Sequence, residues 1–518
     1  MPDVAGARTL WDLVQHWASI RHGRECLIYV SDQERPQDMK RLSWEDLASA
    51  TWELRARLAA RGVRDQRAVI LALPNSPLGI VSWLAIASNG AMAQTVDPDI
   101  GVLPLAEAIR ATQPVMIIGY SGNAAAIHRA LQETGCAPVV ILSDDFALDD
   151  PLGEITGLGV KVSGALPEAH SGAVAGLLPT SGTSGAPKLV ELTHRNFVTA
   201  GERLARNSGY TASDRFYLCS PFFHVNAQMY ICMPAFIMGA SITVVPRFSA
   251  SRYFQTANVT GVTVSSMVAP PMRMVLHKAM ESITPVRSES LRLIQYGMNL
   301  SEVDWRTWDR LFPQIEMRQV YGQTESVSAV LGGAPWEADD RATIGRPFLG
   351  VDEVRLVGAD GGDVASGEQG ELWVRGTPGV TLMRGYHRNP EATAATIDAD
   401  GWLKTGDLMT CNADGRFAFI GRRMHVLRRA GENISIYELE LMMQSCPLVD
   451  DVAIRAEEDD MLGTRLVAHV IPAKAFDEKS FGTWCRESIG KRGVPDKIKL
   501  HDSFPRTGSG RVIVRELK

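Results

Sequence analysis

The chain has 518 residues, 45% of them apolar and 22% charged, an ordinary balance for a soluble globular protein of two or three domains. A net charge of −6 supplies no electrostatic footprint for nucleic acid, and no apolar run approaches the roughly 20 residues needed to span a bilayer. Seven scattered cysteines without a Cys-x-x-Cys pair argue against a disulfide framework or zinc site and fit a reducing cytoplasm. The first residues lack a basic segment followed by an apolar run, so no export signal is expected.

In chain order, residues 44–61 show helical periodicity ending at Gly62. Residues 68–73 read as a buried strand stopped by Pro74-Asn75, with a helix following through 79–88. A helix-like stretch at 105–111 leads into a strand at 115–119, and 139–142 repeats the strand pattern. Strands alternating with helices predict parallel sheet in an α/β fold. Residues 149–172, rich in glycine and small side chains, read as a surface connection. The pattern turns β-rich at 353–375, with a turn at Asp360-Gly-Gly-Asp363. Beyond Met424 come a helix at 436–443 and strands at 452–454 and 466–471, which predicts a separate small α+β domain. The expected division is 1–422 and 423–518.

Residues 180–188 read Thr-Ser-Gly-Thr-Ser-Gly-Ala-Pro-Lys after the strand-like lead 175–178. Glycines let backbone N–H groups approach an anion, hydroxyls add donors and Lys188 adds a point charge. This composition suits a phosphate chain, although it is not a Walker loop. A Ser/Gly-rich surface turn has the same composition; the companion segments weigh against it. Those are Leu73-Pro-Asn-Ser-Pro77, Thr193-His-Arg-Asn196, Pro221-Phe-Phe-His224, Tyr321-Gly-Gln-Thr-Glu325, a Thr-Gly-Asp ending at Asp407, Gly421-Arg422, Gly431-Glu-Asn-Ile-Ser435 and a tail 504–511 reading Phe-Pro-Arg-Thr-Gly-Ser-Gly-Arg.

In this order they resemble the AMP-forming adenylating enzymes (acyl-CoA synthetases, adenylation domains and luciferase), on the acyl-CoA ligase branch and over nearly the whole chain. The resemblance implies a large N-terminal α/β domain, with parallel sheets, helices and a β-rich subdomain, and a small mobile α+β C-terminal domain. The active site would lie between them. It implies phosphate binding by Thr180, Ser181, Gly182, Thr183, Ser184, Gly185 and Lys188. Gly297, Met298 and Asn299 would contact adenine, with Tyr321, Gly322, Gln323 and Thr324 along the nucleotide. Glu325 would bind Mg2+, since a hard cation prefers carboxylate oxygen, and Asp407 with Arg422 would hold ribose. His224 would gate the acyl pocket and the CoA entrance. Amino-acid-activating members carry an Asp there, so His224 points to a plain carboxylic acid. Gly431, Glu432 and Asn433 would serve the CoA tunnel, a role compatible with Asn433 or Ser435 capping the next helix. The implied substrates are ATP or acyl-AMP, a carboxylic acid and CoA. Apolar Phe222, Phe223, Met229, Tyr296 and Met298 suggest a bulky acyl pocket, or simply core.

The tail departs from the family pattern. The lysine that reaches the α-phosphate and carboxylate during adenylation is here Arg511. Loss of one preorganised group of this kind costs on the order of 10²–10³ in rate, and a planar guanidinium is not a point charge. The hinge position carries Met424 in place of Asp or Lys, Met298 and Asn299 replace small residues and Pro, Leu189 replaces the Gly after the loop lysine, and Ala430 replaces the Gly before Gly431. The expectation is weakened or lost adenylation with thiolation of acyl-AMP retained. A separate adenylating enzyme would then be the partner. A complete ligase, loading of a carrier protein, and non-catalytic acyl-adenylate binding are the alternatives.

Overall fold

A computed structural model describes residues 6–148, 166–180, 188–282, 287–335, 340–422, 426–429, 432–459, 463–489, 494–507 and 510–517. Two large sheets form the N-terminal part. One has seven strands, in the order Gly385–Tyr386, Lys188–Thr193, Val174–Thr180, Met92–Thr95, Ala68–Leu71, Met116–Gly119 and Val139–Leu142. The other has nine, with Arg215–Leu218, Val264–Val268, Leu293–Gly297 and Glu316–Gln323 as consecutive parallel neighbours at its centre.

The helix Pro77–Ser88 packs on the seven-stranded sheet and the turns over Asn226–Cys232 pack on the nine-stranded one, while His194–Ser208 touches both sheets. All twelve residues of Pro77–Ser88 are buried. It starts cleanly because Ser76 accepts from the Gly79 amide and Pro77 occupies the first turn, where a missing N–H costs nothing. Trp83 packs edge-on against Phe197 and Phe222, joining this helix to the next and to the predicted acyl segment.

The other predicted elements shift by a few residues: the first long helix is Trp44–Ala59, and the helix expected at 105–111 is Val102–Thr112. The strands expected at 68–73 and 115–119 are Ala68–Leu71 and Met116–Gly119. Both sheets carry antiparallel pairs at an end: Val174–Thr180 pairs antiparallel with Lys188–Thr193, and Glu316–Gln323 with Ser328–Gly332. The phosphate loop therefore connects a hairpin rather than a strand and a helix.

A four-stranded antiparallel sheet follows, Glu353–Val357, Gln369–Arg375, Trp402–Cys411 and Phe417–Arg422, as the β-rich pattern predicted. The C-terminal part has the hairpin Val426–Arg429/Glu432–Ser435, the helix Ile436–Gln444 and a three-stranded sheet of Val449–Asp459, Gly463–Pro472 and Lys497–Leu500. Most of the connection expected at 149–172 lies outside the described residues.

Candidate active site

Thr180 and Lys188 are direct partners across the hairpin, which brings the two ends of the phosphate loop together. Ser181, Gly182, Thr183, Ser184 and Gly185 lie outside the described residues. The Lys188 ammonium sits 4.7 Å above the ring of Tyr386, and the Tyr386 hydroxyl donates to Glu325 Oε1 at 2.9 Å. Burial, then the Glu325 charge, push the Tyr386 phenol up, so it stays a donor. One residue thus ties the loop lysine to the expected metal ligand. Tyr386 was not among the sequence candidates; its only signal was a lone aromatic in Arg384-Gly-Tyr-His387.

Tyr321, Gly322, Gln323, Thr324 and Glu325 follow a strand into a tight bend. A Cβ on Gly322 would fall 2.0 Å from the carbonyl oxygen of Ser328, so no other residue fits. Val327 and Ser328 adopt left-handed backbone angles, φ 55° and 71°, uncommon for a β-branched side chain. Tyr321 Oη and Gln323 Nε2 both donate to Asp407 Oδ2 at 2.6 Å. Arg422 Nε stands 3.0 Å from Asp407 Oδ1, its register partner on the neighbouring strand. Asp407 is 2% exposed, and its Oδ1 has the Arg422 charge beside it but receives no aligned hydrogen bond. A sugar hydroxyl would supply one.

Gly297, Met298 and Asn299 end a central strand. Met298 is left-handed (φ 65°) and half-buried against the core that holds Tyr296 and Trp305. The Asn299 side chain is taken up internally: it donates to the Arg341 carbonyl and accepts from Trp305 Nε1. Its backbone N–H donates to the Tyr437 hydroxyl of the C-terminal part at 2.9 Å.

His224 is half-buried and stacked 4.6 Å from Phe223. Burial, with the charge of Arg511 second, lowers its pKa to about 4, so it is neutral at pH 7. Its Nε2 has no hydrogen-bond partner. Asn75, from Leu73-Pro-Asn-Ser-Pro77, clamps this segment by donating to the Ser220 carbonyl and accepting from the Phe222 amide. Next to it, Asn226–Cys232 is a stretch of π-helix, a form concentrated at functional sites. Asn226 there bridges Ser220 and Ser266.

Arg511 sits at the turn of a tail hairpin closed by Thr507, whose Oγ1 accepts from the Arg511 amide. Burial and the neighbouring Arg422 lower its pKa while Asp407 raises it. The residue as a whole remains exposed. Tyr386 thus joins Lys188 to Glu325, while Asp407, Arg422, Arg511 and His224 form a second group of neighbouring residues. Met424 and Gly431 lie outside the described residues. Glu432 and Asn433 pair in register with Arg429 and Arg428. Among the described residues no cluster of three or more His, Cys, Asp or Glu could hold a metal. Mg2+ in nucleotide sites takes one or two carboxylates plus phosphate oxygens, and Glu325, with one oxygen fixed by Tyr386, can supply one.

A profile described as AMP-binding enzyme matches residues 14–387, and one described as AMP-binding enzyme C-terminal domain matches 438–511. The chain belongs to the AMP-binding enzyme family. Relatives that it matches within this AMP-forming family include CoA ligases. The crotonobetaine/carnitine–CoA ligase of Salmonella heidelberg (strain SL476) is 26% identical over the whole of both chains, and that of Shigella sonnei (strain Ss046) is 29% identical over 88% of this chain and 89% of its own. Among solved structures, the anthranilate CoA ligase AuaEII in complex with anthranoyl-AMP superposes with TM-score 0.85 at 19% identity, covering 97% of this chain and 95% of that one. The o-succinylbenzoate CoA synthetase of Bacillus subtilis, in complex with its acyl-adenylate, gives 0.83 at 23% identity, covering 98% of each. The fold of this AMP-binding enzyme is therefore that of the adenylating enzymes.

Proposed function

We propose that the chain converts a carboxylic acid to its CoA thioester through an acyl-AMP, with adenylation the weakened half. Arg511 carries that step in place of the usual lysine. In the first half the carboxylate oxygen attacks the α-phosphate of ATP and pyrophosphate leaves. In the second the CoA sulfur attacks the acyl carbonyl and AMP leaves. Thr180, Ser181, Thr183 and Lys188 bind phosphate, Asp407 and Arg422 hold ribose, Glu325 contributes to Mg2+ binding, and His224 with Gly431, Glu432 and Asn433 serves the thiolation state. When bound, Mg2+ offsets the negative charge that develops on the phosphates.

The observation that carries the reading is the placement of Arg511 beside Arg422, Asp407 and His224. Asp407 is already engaged by Tyr321, Gln323 and Arg422, so the charge of Arg511 is available to an anion, which is what a phosphate and an attacking carboxylate supply. The guanidinium delivers the charge with a different length and shape, so it stabilises the approach of two anions less well than a compact ammonium. A neutral His224, rather than a carboxylate, at the acyl segment favours an acid without an α-ammonium. The half-buried Phe223 and Met298 favour an apolar acyl group.

The second reading keeps only thiolation and draws acyl-AMP from a separate adenylating enzyme. The test compares acid, ATP, Mg2+ and CoA with preformed acyl-AMP and CoA, over acids including butyrate, benzoate, anthranilate, o-succinylbenzoate and crotonobetaine. Thioester from both, slower from the acid, is expected. Thioester from acyl-AMP alone establishes the second reading, and equal rates show Arg511 to be a full substitute. Transfer to a carrier-protein thiol but not to CoA, or product from neither, refutes the ligase assignment.

A further inference from the structure

A single carboxylate joins the large domain to the segment that carries Arg511. Arg273, on the helix Ala269–Glu281, donates through Nη1 to Asp451 Oδ1 at 3.0 Å and through Nη2 to the Asp450 carbonyl at 2.8 Å. Its Nε faces Asp304 at 3.3 Å. The other Asp451 oxygen accepts from Arg506, on the tail, and the second Arg506 nitrogen donates to the carbonyl of Gly510 at 2.7 Å. Gly510 directly precedes Arg511. It has φ +85°, and a Cβ there would lie 3.3 Å from Pro270 at the start of the Arg273 helix. The side chains of Arg273 and Asp451 are each only 13% exposed.

We propose that Asp451 is a positioning residue for adenylation: it latches the C-terminal domain to Arg273 and, through Arg506 and the Gly510 carbonyl, aims Arg511 at the nucleotide. This inference rests on the reading of Arg511 as the adenylation cation. Each bond is charge-assisted, and the central pair is shielded from water, where such bonds are strong and a lost partner is expensive. Gln444 and the Val452 amide complete the carboxylate's shell at Oδ1. Glu440, also close to Asp451, is pushed up to about 8 by burial; it remains protonated near neutrality and does not compete for the arginines. Among the contacts between the parts in the described residues are this network, the Asn299–Tyr437 hydrogen bond and the Phe419–Tyr437 ring contact. If thiolation needs Arg511 withdrawn, these contacts must break together.

The test uses the full chain and three measurements on D451N and R273Q: acid-dependent pyrophosphate release, thioester formation from preformed acyl-AMP, and the distance between fluorophores at Leu103 and Leu500, exposed by 70% and 54%, with AMP as the probe ligand. The expected result is a tenfold or greater fall in pyrophosphate release with thiolation unchanged or faster. The distance distribution should move away from that of the wild type, and D451E should recover most of the loss. An unchanged distance with unchanged pyrophosphate release overturns the latch. So does a parallel fall in both half-reactions accompanied by a lower melting temperature in D451N and D451E alike. If the wild type releases no pyrophosphate, the reading of Arg511 fails; the latch itself then stands if the distance shifts in D451N and falls if it does not.

Discussion

In the proposed reading Arg511 and Tyr386 both serve adenylation, and they are unequally visible in the sequence. Arg511 announced itself by replacing a residue in a recognisable tail. R511K restores a compact ammonium in the same hairpin, so pyrophosphate release should rise about tenfold or more while thiolation from acyl-AMP stays level. Half-reaction assays on the two proteins check this, and a fall on R511K would mean that the cleft has adapted to the guanidinium. Tyr386 has no motif of its own and is revealed only when the short strand Gly385–Tyr386 pairs with the strand that begins at Lys188. Y386F keeps the ring under Lys188 and removes only the hydroxyl to Glu325. A hydrogen bond to a charged group is worth about 1.5–3 kcal/mol. We expect adenylation to fall about tenfold or more, with more Mg2+ needed for half-maximal rate, and a Mg2+ titration of pyrophosphate release reads both.

At the scale of the elements, the sequence located most helices and strands within a few residues because caps and breakers are local. Thr193 and Asn196 form a reciprocal cap on the helix His194–Ser208, which accounts for two of the four residues of a motif read only by likeness. What it did not reveal depended on long-range packing. The helix Pro77–Ser88 is buried on every side, so no amphipathic period marks its start. The π-helix at Asn226–Cys232 has no signature of period, and the antiparallel pairing on either side of the phosphate loop is decided by partners elsewhere in the sheet.

His194 shows the same dependence. It is fully buried, with Nδ1 accepting from the Leu10 amide and Nε2 donating to the Ala87 carbonyl, so it staples three helices in one neutral tautomer. Burial lowers its pKa to about 4, against roughly 6.5 in an unfolded chain. Between those values the unfolded chain binds a proton and the folded one does not, so stability is complete above about pH 6.5 and is lost as pH falls toward 4. From pH 7 to 5 this one group should remove about 2 kcal/mol. H194Q, which keeps an acceptor and a donor but does not titrate, should flatten that part of the dependence in denaturant unfolding at the two pH values; an identical slope in both proteins contradicts it.

For the whole molecule, the decisive feature is how apolar burial is partitioned. The large clusters draw only on residues up to Phe419, among them Trp17, Trp83, Phe197 and Trp308. Those of the C-terminal part begin at Ile436 and include Leu439, Met443, Phe481 and Phe504. Among the described residues no cluster mixes the two sets, and the contacts across are mainly polar. Domains joined by polar contacts move relative to one another by default, which suits the proposed reaction, in which Arg511 serves one half and withdraws for the next. The proposed division at 422/423 falls where the last strand of the four-stranded sheet ends, at Arg422. A fragment of residues 1–422 should therefore keep its core, unfolding within a few degrees of the intact chain's large-domain transition. It should bind AMP through Asp407 and Arg422 but release no pyrophosphate, since it lacks Arg511. Calorimetry with and without AMP tests the first two points and the half-reaction assay the third. A fragment that fails to unfold cooperatively would mean that the C-terminal part completes the large core and is not a mobile domain.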